Sequence, residues 1–130
     1  MKSTTLSKLS AAPAYPVLPA ENLERARTFY TETLGLPVEP SPGGQFFVRL
    51  GKGTSILIYE RARTKAEHTA VTFVVDDVKS IVSELRGRGV VFEEYDMPGL
   101  KTVDGIATME HGLGAWFTDS EGNILNIAQM

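Results

Sequence analysis

The sequence contains no cysteine, which excludes a disulfide framework, a thiolate metal site and a cysteine nucleophile. Its longest apolar runs extend over only a few residues, whereas a helix that spans a bilayer needs about 20. It also lacks an excess of positive charge, because 13 basic and 16 acidic side chains give a formal net charge of −3. The chain therefore carries no electrostatic signature of nucleic-acid or anionic-membrane binding.

Short motifs of common enzyme chemistry are missing as well. The sequence has no Gly-x-Ser-x-Gly elbow, no His-Glu-x-x-His pair and no glycine-rich dinucleotide fingerprint. The segment Gly51-Lys52-Gly53-Thr54 lacks the glycine framing of a phosphate-binding loop and lies between two predicted strands. A hairpin turn explains this segment better.

What is present suits one globular domain. The chain has 130 residues, of which 42% are hydrophobic, and a domain of this size buries roughly two-thirds of the surface of its unfolded chain. Residues 1–12 carry Lys2 and Lys8 among small and polar residues, without the apolar block of a secretory signal. We therefore expect a flexible tail over 1–12, a single domain over 13–130 and a cytoplasmic location.

Two segments show the spacing of amphipathic helices. The first begins at Asn22, a suitable N-cap, and ends near Gly35. The second begins at Asp77 and ends at Gly87 or Gly89. Apolar residues recur at helical spacing in both, at Leu23, Ala26, Phe29 or Tyr30, and Leu34 in the first and at Val78, Ile81, Val82 and Leu85 in the second.

Each predicted helix follows an extended apolar run and precedes three strand-like pieces. The runs are 15–20 and 69–75; the pieces are 38–39, 45–50 and 54–59 after the first helix and 90–95, 113–118 and 124–128 after the second. The order β-α-β-β-β thus occurs twice, in modules of about 13–60 and 67–130 joined by a polar linker over 61–67.

A long loop is predicted over 97–112 in the second module. Gly99, Gly105 and Gly112 are its candidate pivots, so the loop is the best candidate for a lid over a bound ligand. On this interpretation His111 meets the ligand only in the closed form.

Two segments near the ends of the domain carry a family resemblance. The stretch 22–30, Asn-Leu-Glu-Arg-Ala-Arg-Thr-Phe-Tyr, followed by Leu-Gly-Leu at 34–36, resembles the opening helix of the vicinal oxygen chelate superfamily, which includes glyoxalase I, bleomycin-resistance proteins and extradiol dioxygenases. The stretch 117–125, Phe-Thr-Asp-Ser-Glu-Gly-Asn-Ile-Leu, is similar to the closing hairpin of that superfamily. The resemblance covers about 16–130. It implies an α+β fold in which two βαβββ modules form a cup-shaped, curled mixed sheet with helices outside, commonly in a homodimer.

The resemblance also bears on metal binding. Metal-dependent members hold a divalent ion inside the cup with four side chains, usually His, Gln or Glu. Carried over by position, these places fall on Tyr15, Ile58, Ala70 and Asn126. None is a usual ligand of the family, so we expect no metal, and no other cofactor is predicted. The alternative is a shifted site that combines His68 and Glu60 with His111 or Glu110.

A binding cup is the remaining expectation. The side chains expected to line it are Tyr15, Phe47, His68, Ala70, Thr72, His111, Trp116 and Asn126. Strand alternation places His68, Ala70 and Thr72 on one wall. Trp116 either lines the cup or packs at a dimer seam, and His68 either faces the ligand or is a solvated strand-edge residue. The acidic group Glu93, Glu94 and Asp96 either holds a cationic ligand or forms the solvated face of an edge strand.

The leading functional hypothesis is a small-molecule binding protein of the glyoxalase/bleomycin-resistance type that lacks the usual metal site. Its expected partners are a small amphipathic or aromatic ligand and a second copy of the chain, with no nucleic acid and no membrane. One alternative is a lyase, isomerase or dioxygenase with a shifted metal site or with acid–base chemistry at His68, His111 or Glu110. Another alternative is a purely structural dimerisation module.

Overall fold

The computed structural model describes residues 5–110 and 112–129. The first module contains β1 (Val17–Ala20), α1 (Leu23–Thr28), β2 (Val38–Pro40), β3 (Phe46–Arg49) and β4 (Ser55–Glu60). The second contains β5 (Thr69–Val74), α2 (Val78–Gly87), β6 (Asp96–Met97), β7 (Leu100–Val103), β8 (Ile106–Met109), β9 (Gly112–Thr118) and β10 (Ile124–Ala128). Among these residues, no helix has the length and apolar character needed to cross a membrane.

Each module forms its own mixed sheet. The strand order is β1-β4-β3-β2 in the first sheet and β5-β10-β9-β8-β7-β6 in the second. In both, the first strand runs parallel to the last strand of its module, and the other neighbours are antiparallel. The predicted α+β fold of two βαβββ modules is confirmed, with two separate sheets and an added hairpin in the second module.

The predicted helix starts are confirmed by their caps. The Asn22 carboxamide oxygen accepts a hydrogen bond from the Arg25 backbone N–H at 2.9 Å, and the Asp77 carboxylate accepts one from the Ser80 N–H at 3.2 Å. Beyond α1 the chain continues as a wider turn of π-helix over Phe29–Thr33. Gly35 then adopts a φ of 70°, a conformation that favours glycine and ends the helical segment.

Alternation along the strands separates two faces of each sheet. The buried face of the first sheet packs under α1 and contains Leu18, Ala20, Phe46, Val48, Ile56 and Ile58. The buried face of the second packs under α2 and contains Ala115, Phe117, Leu125 and Ile127. Within the described residues neither α1 nor α2 packs on the opposite face of its sheet, and we call these two surfaces together the open face. It carries Val17, Pro19, Phe47, Leu57 and Tyr59 from the first sheet and Thr72, Trp116 and Asn126 from the second.

The strand predicted over 90–95 is wrong. Val90 and Phe92 are buried in the core, as a strand would require. However, among the described residues β8 pairs with β9 only at Gly112–Gly114, and the segment 90–95 makes one backbone hydrogen bond to β9, from the Glu93 N–H to the Trp116 carbonyl. The segment 90–95 is therefore buried against the core but lacks the continuous backbone hydrogen bonds of a strand.

The irregular loop predicted over 97–112 is also wrong. Most of it forms the β7–β8 hairpin, in which Thr102 pairs with Ala107 and Val103 with Ile106. The connecting residues Asp104 and Gly105 have φ values of 53° and 77°, the signs of a type I′ turn. Since the hairpin belongs to the second sheet, the described part of this segment is paired strand structure, and its role as a lid stays a prediction.

Candidate functional site

The candidate site lies where the two sheets meet. β1 and β5 are edge strands of their sheets, and no backbone ladder joins them within the described ranges. A cavity of about 660 Å³ occupies one end of this junction, bounded by Pro16, Ile56 and Thr72. A second cavity of about 260 Å³, bounded by Pro19, His68 and Ala70 among others, occupies the other end. We call it the smaller cleft. The open face and the cavities share residues, since Thr72 lines the larger cavity and Pro19 and Tyr59 line the smaller cleft, and we treat them together as one candidate region.

The first-sheet wall of this region is aromatic. Phe46 is fully buried in the core, whereas Phe47 lies on the open face, as expected. The Tyr15 ring meets the Phe47 ring edge-on, with 5.1 Å between centroids and 77° between planes. The Arg49 guanidinium lies 5.1 Å from the Phe47 centroid and pairs with Glu39 at 2.7 Å. Tyr15 and Phe47 are thus brought together, and the neighbouring charges are already paired.

Trp116 dominates the second-sheet wall. Its indole Nε1 donates to the Thr69 hydroxyl at 3.2 Å, and its ring meets Tyr95 edge-on at 5.7 Å between centroids. At Gly114, a Cβ atom would lie 3.4 Å from the indole ring and 3.3 Å from the Met109 sulfur. Because glycine has no side chain, the indole of Trp116 can lie along β9 over Gly114. Sequence reasoning missed Thr69, Tyr95 and Gly114, although the Gly-x-Trp spacing on a predicted strand was a usable signal.

Asn126 lies beside Trp116 as its register partner on β10. Its side-chain nitrogen donates to the carbonyls of Ala115, at 3.0 Å, and Ile127, at 3.3 Å, while its oxygen accepts from the Thr72 hydroxyl at 3.1 Å. The residue is only 7% exposed. Both carboxamide N–H groups are thus committed to the backbone, and Asn126 and Thr72 form a fixed polar spot in the wall.

The expected alternation along β5 does not hold. Ile124 pairs with Thr69 but Leu125 pairs with Val71, so a register shift interrupts the ladder at this point. As a result Thr69 and Thr72, three residues apart, both reach side chains of the open face. Ala70 does not share a wall with Thr72; it packs against the core and lines the smaller cleft, together with the exposed His68.

The four positions carried over for a metal do not make a metal site. Ile58 is 1% exposed and faces the core, which leaves its neighbours Leu57 and Tyr59 on the open face. Tyr15 packs on Phe47, Ala70 has no donor atom, and Asn126 is committed as described above. Over residues 5–110 and 112–129, no three His, Cys, Asp or Glu side chains cluster in a way that could hold an ion. These residues do not fit the family's divalent metal, and His111 lies outside the described residues.

The acidic group at 93–96 has a structural use. The Glu94 carboxylate accepts from the Thr102 hydroxyl at 2.5 Å and from the Gly105 N–H at 2.8 Å. These two bonds lower the pKa of Glu94. Glu94 therefore holds the hairpin turn in place through its Oε1 atom.

Comparison with known structures identifies the same fold in other proteins. Lactoylglutathione lyase from Agrobacterium tumefaciens superposes with a TM-score of 0.63 at 21% identity, covering 92% of this chain and 93% of its own. TnmS3, an antibiotic binding protein from Streptomyces sp. CB03234, gives 0.62 at 23% identity, covering 92% and 97%. FosX, a fosfomycin resistance protein from Listeria monocytogenes, gives 0.68 at 15% identity, covering 92% and 93%.

The sequence comparisons agree with the fold. No curated protein matches the chain by sequence. A family profile, however, matches residues 12–127, which is nearly the whole domain. The βαβββ repeat, the capped opening helix and the closing hairpin all lie within this match. The chain belongs to the glyoxalase/bleomycin resistance protein/dioxygenase superfamily.

Proposed function

We propose that this protein binds a small aromatic or amphipathic molecule on its open face. The observation that carries the proposal is the placement of Trp116, which lies over Gly114, donates to Thr69 and meets Tyr95 on a half-buried surface. An indole held in one orientation with an accessible surface offers a stacking partner at a small cost in side-chain entropy.

The rest of the open face supports the same function. Binding pockets are mostly apolar with a few fixed polar groups, and here Phe47, Tyr15 and Leu57 supply the apolar part. The Asn126–Thr72 pair supplies an oriented polar spot. An antibiotic-binding protein and a fosfomycin resistance protein share this fold, which is consistent with a role in binding a small molecule.

The experiment is a screen of planar bicyclic and tricyclic aromatic compounds, followed through the fluorescence of Trp116, the sole tryptophan. We expect saturable changes in emission for the compounds that bind. Replacing Phe47 by Ala should weaken binding about tenfold, since it removes one aromatic contact and its apolar area. The control is Thr108→Val, on an exposed β8 position without a side-chain hydrogen bond to any described residue. Equal affinities in both variants would argue against the open face as the site.

Binding without a metal is part of the proposal. The protein purified without an affinity tag should contain no stoichiometric divalent metal, and added zinc, nickel, manganese or iron(II) should change its Tm little. An ion present at a hundred times its dissociation constant would stabilise the fold by about 2.7 kcal/mol, a shift that calorimetry detects easily. One tightly bound ion per chain whose removal lowers Tm by several degrees would refute this part.

The proposed assembly is a homodimer. Val91 is 82% exposed and Val103 on β7 is 66% exposed, so apolar side chains stand uncovered at positions that line neither cavity. A two-fold pair would remove such side chains from water. Sedimentation velocity at micromolar concentration should give twice the chain mass of 14.2 kDa, and Val103→Asp should reduce the dimer fraction. A single species at the monomer mass would contradict this assembly.

A further inference from the structure

The smaller cleft differs in charge from the protein as a whole. It lies at the end of β1 and β4, beside the linker and the start of β5, and its lining includes Tyr59, Arg61, Thr64 and His68. The chain carries a net charge of −3, yet none of the described residues that line this cleft is Asp or Glu. A local concentration of hydrogen-bond donors and positive charge thus occurs on an acidic protein.

Arg61 is the dominant charge in this cleft. Its Nη1 donates to the Tyr59 hydroxyl at 3.3 Å. Within the described part of the chain, its Nε and Nη2 have no hydrogen-bond partner, and no carboxylate lies within 4 Å of the guanidinium. Arg25 and Arg49, by contrast, each pair with a glutamate. The planar donor edge of Arg61 therefore remains available for an oxyanion, which it suits in two-bond geometry.

The smaller cleft joins the open face through Tyr59. Tyr59 pairs with Pro19 across β4 and β1 and lies two positions from Leu57, the register partner of Phe47. Its ring therefore belongs to the wall that also holds the Tyr15–Phe47 pair. A volume of about 260 Å³ is small for a whole drug-sized ligand, whose pockets usually measure about 300–1,000 Å³. It is ample for a head group, since one water occupies about 30 Å³.

We infer that the smaller cleft binds the anionic group, a carboxylate or a phosphate, of an aromatic ligand whose ring lies on the open face. Arg61 supplies the charge and two parallel N–H donors. The hydroxyls of Tyr59 and Thr64 and a ring N–H of His68 supply further donors around it. The position of the ring rests on the proposed function, whereas the anion site rests on the cleft alone.

The first test compares three probes that share one ring system. 2-Naphthoate and 2-naphthyl phosphate carry the two candidate anions, and 2-naphthamide is the uncharged counterpart of the carboxylate. By isothermal titration calorimetry at low salt, at least one anion should bind about tenfold or more tightly than the amide, as expected for hydrogen bonds to a charged group. Which anion binds more tightly identifies the head group.

Two variants test whether Arg61 is the side chain that favours an anion over the uncharged amide. Arg61→Gln should bring the favoured anion down to the affinity of 2-naphthamide and leave the amide itself within about twofold of its original affinity. The matched control is Arg63→Gln, which removes a charge two residues away whose guanidinium donates to the Ser120 carbonyl. If the charge acted only through the long-range field, both variants would weaken the anion equally, and that result would overturn the inference.

The inference and the proposed function can fail separately. If anions and amide bind with equal affinity, the anion site is refuted while ring binding stands. If no naphthyl compound binds, ring binding by this aromatic class is refuted, and inorganic phosphate then decides the anion site. Its titration should shift the NMR signals of the Arg61 Nε–H and the His68 ring to saturation in the wild-type chain but not in Arg61→Gln. An absent or linear response would overturn the inference.

Discussion

The hydroxyl of Tyr30 in the first module donates a hydrogen bond to Asp119 in the second, with 2.7 Å between Oη and Oδ2. Tyr30 is fully buried and Asp119 is 6% exposed. Burial, followed by the nearby Asp119 charge, raises the pKa of Tyr30 well above its ordinary value, so the phenol remains a donor. The other oxygen of Asp119 accepts the backbone N–H groups of Glu121 and Asn123. The closing turn of the second module is therefore fixed to the helical segment of the first.

Replacing Tyr30 by Phe should lower the free energy of unfolding by about 1–3 kcal/mol, because a buried carboxylate loses a donor while the ring stays in place. Urea denaturation monitored by circular dichroism measures the change. The control is Tyr15→Phe, since the Tyr15 hydroxyl makes no hydrogen bond to another described residue, and its effect should stay below about 0.5 kcal/mol. Equal losses in the two variants would show that the Tyr30–Asp119 bond adds nothing.

A second link joins the modules through Glu121. Its carboxylate accepts Arg25 Nε at 2.7 Å, Arg25 Nη2 at 2.9 Å and the Asn22 N–H at 3.0 Å. The Glu121 side chain is 1% exposed, whereas that of Arg25 is 47% exposed. The hydrogen bond from Arg25 is the main reason that the pKa of Glu121 falls from 4.5 to about 2.

This pKa shift predicts a loss of stability in acid. Because the folded protein holds Glu121 ionised more strongly than the unfolded chain does, the contribution is complete above about pH 4.5 and is lost as the pH falls towards 2. Its size should be about 2 kcal/mol, allowing for solvent at the half-exposed Arg25. Unfolding free energies of wild type and Glu121→Gln between pH 2 and 6 test this. The control is Glu39→Gln, in an exposed ion pair, whose unfolding free energy should depend on pH as that of the wild type does. If the unfolding free energy of Glu121→Gln also showed the wild-type dependence on pH, the prediction would be contradicted.

The hairpin turn supplies a third prediction. Gly99 and Gly105 both adopt positive φ, 83° and 77°, so alanine at either position is strained. Only at Gly105 would a Cβ also lie 2.9 Å from the Phe92 Cβ. Thermal unfolding should therefore show a larger loss for Gly105→Ala, by about 1–2 kcal/mol beyond the cost in Gly99→Ala. Similar losses would mean that the contact with Phe92 relaxes freely.

The sequence predicted most of the regular structure because caps and alternation are local signals. Asn22 and Asp77 cap their helices through their own backbone neighbours, and Phe46 and Phe47 divide between the two faces of one strand. The β7–β8 hairpin also had a local signal, since Asp104-Gly105 lies between two segments in which apolar and polar residues alternate. The many glycines in this region nevertheless favoured the interpretation as a loop. The family resemblance was confirmed by the match over 12–127.

The arrangement of the site depended on non-local pairing, which the sequence could not supply. β4 alternates regularly, and the position expected to face the cup was one residue out, because Ile58 faces the core. On β5 a register shift separates Ala70 from Thr72. Alternation has a period of two, so an offset of one residue, whether in the expectation or in the strand, exchanges the two faces. The Trp116–Thr69 bond joins residues 47 apart in the chain and has no local signature.

Gly114 offers a direct test of how Trp116 is held. A Cβ at this position would press on the indole at 3.4 Å and on Met109 at 3.3 Å, so Gly114→Ala should displace the ring from Thr69 and lower stability by about 1 kcal/mol. The indole should become more accessible to acrylamide, its emission should shift to longer wavelength, and aromatic probes should bind more weakly.

Gly87→Ala is the matched control, because nothing lies within 4 Å of a Cβ there and its φ is not positive. Alanine at the end of α2 should leave Trp116 emission unchanged and raise stability by about 0.5–1 kcal/mol. If a folded Gly114→Ala variant keeps wild-type emission and quenching, the glycine does not set the position of the indole, and the wall of the proposed site is more adaptable than its packing indicates.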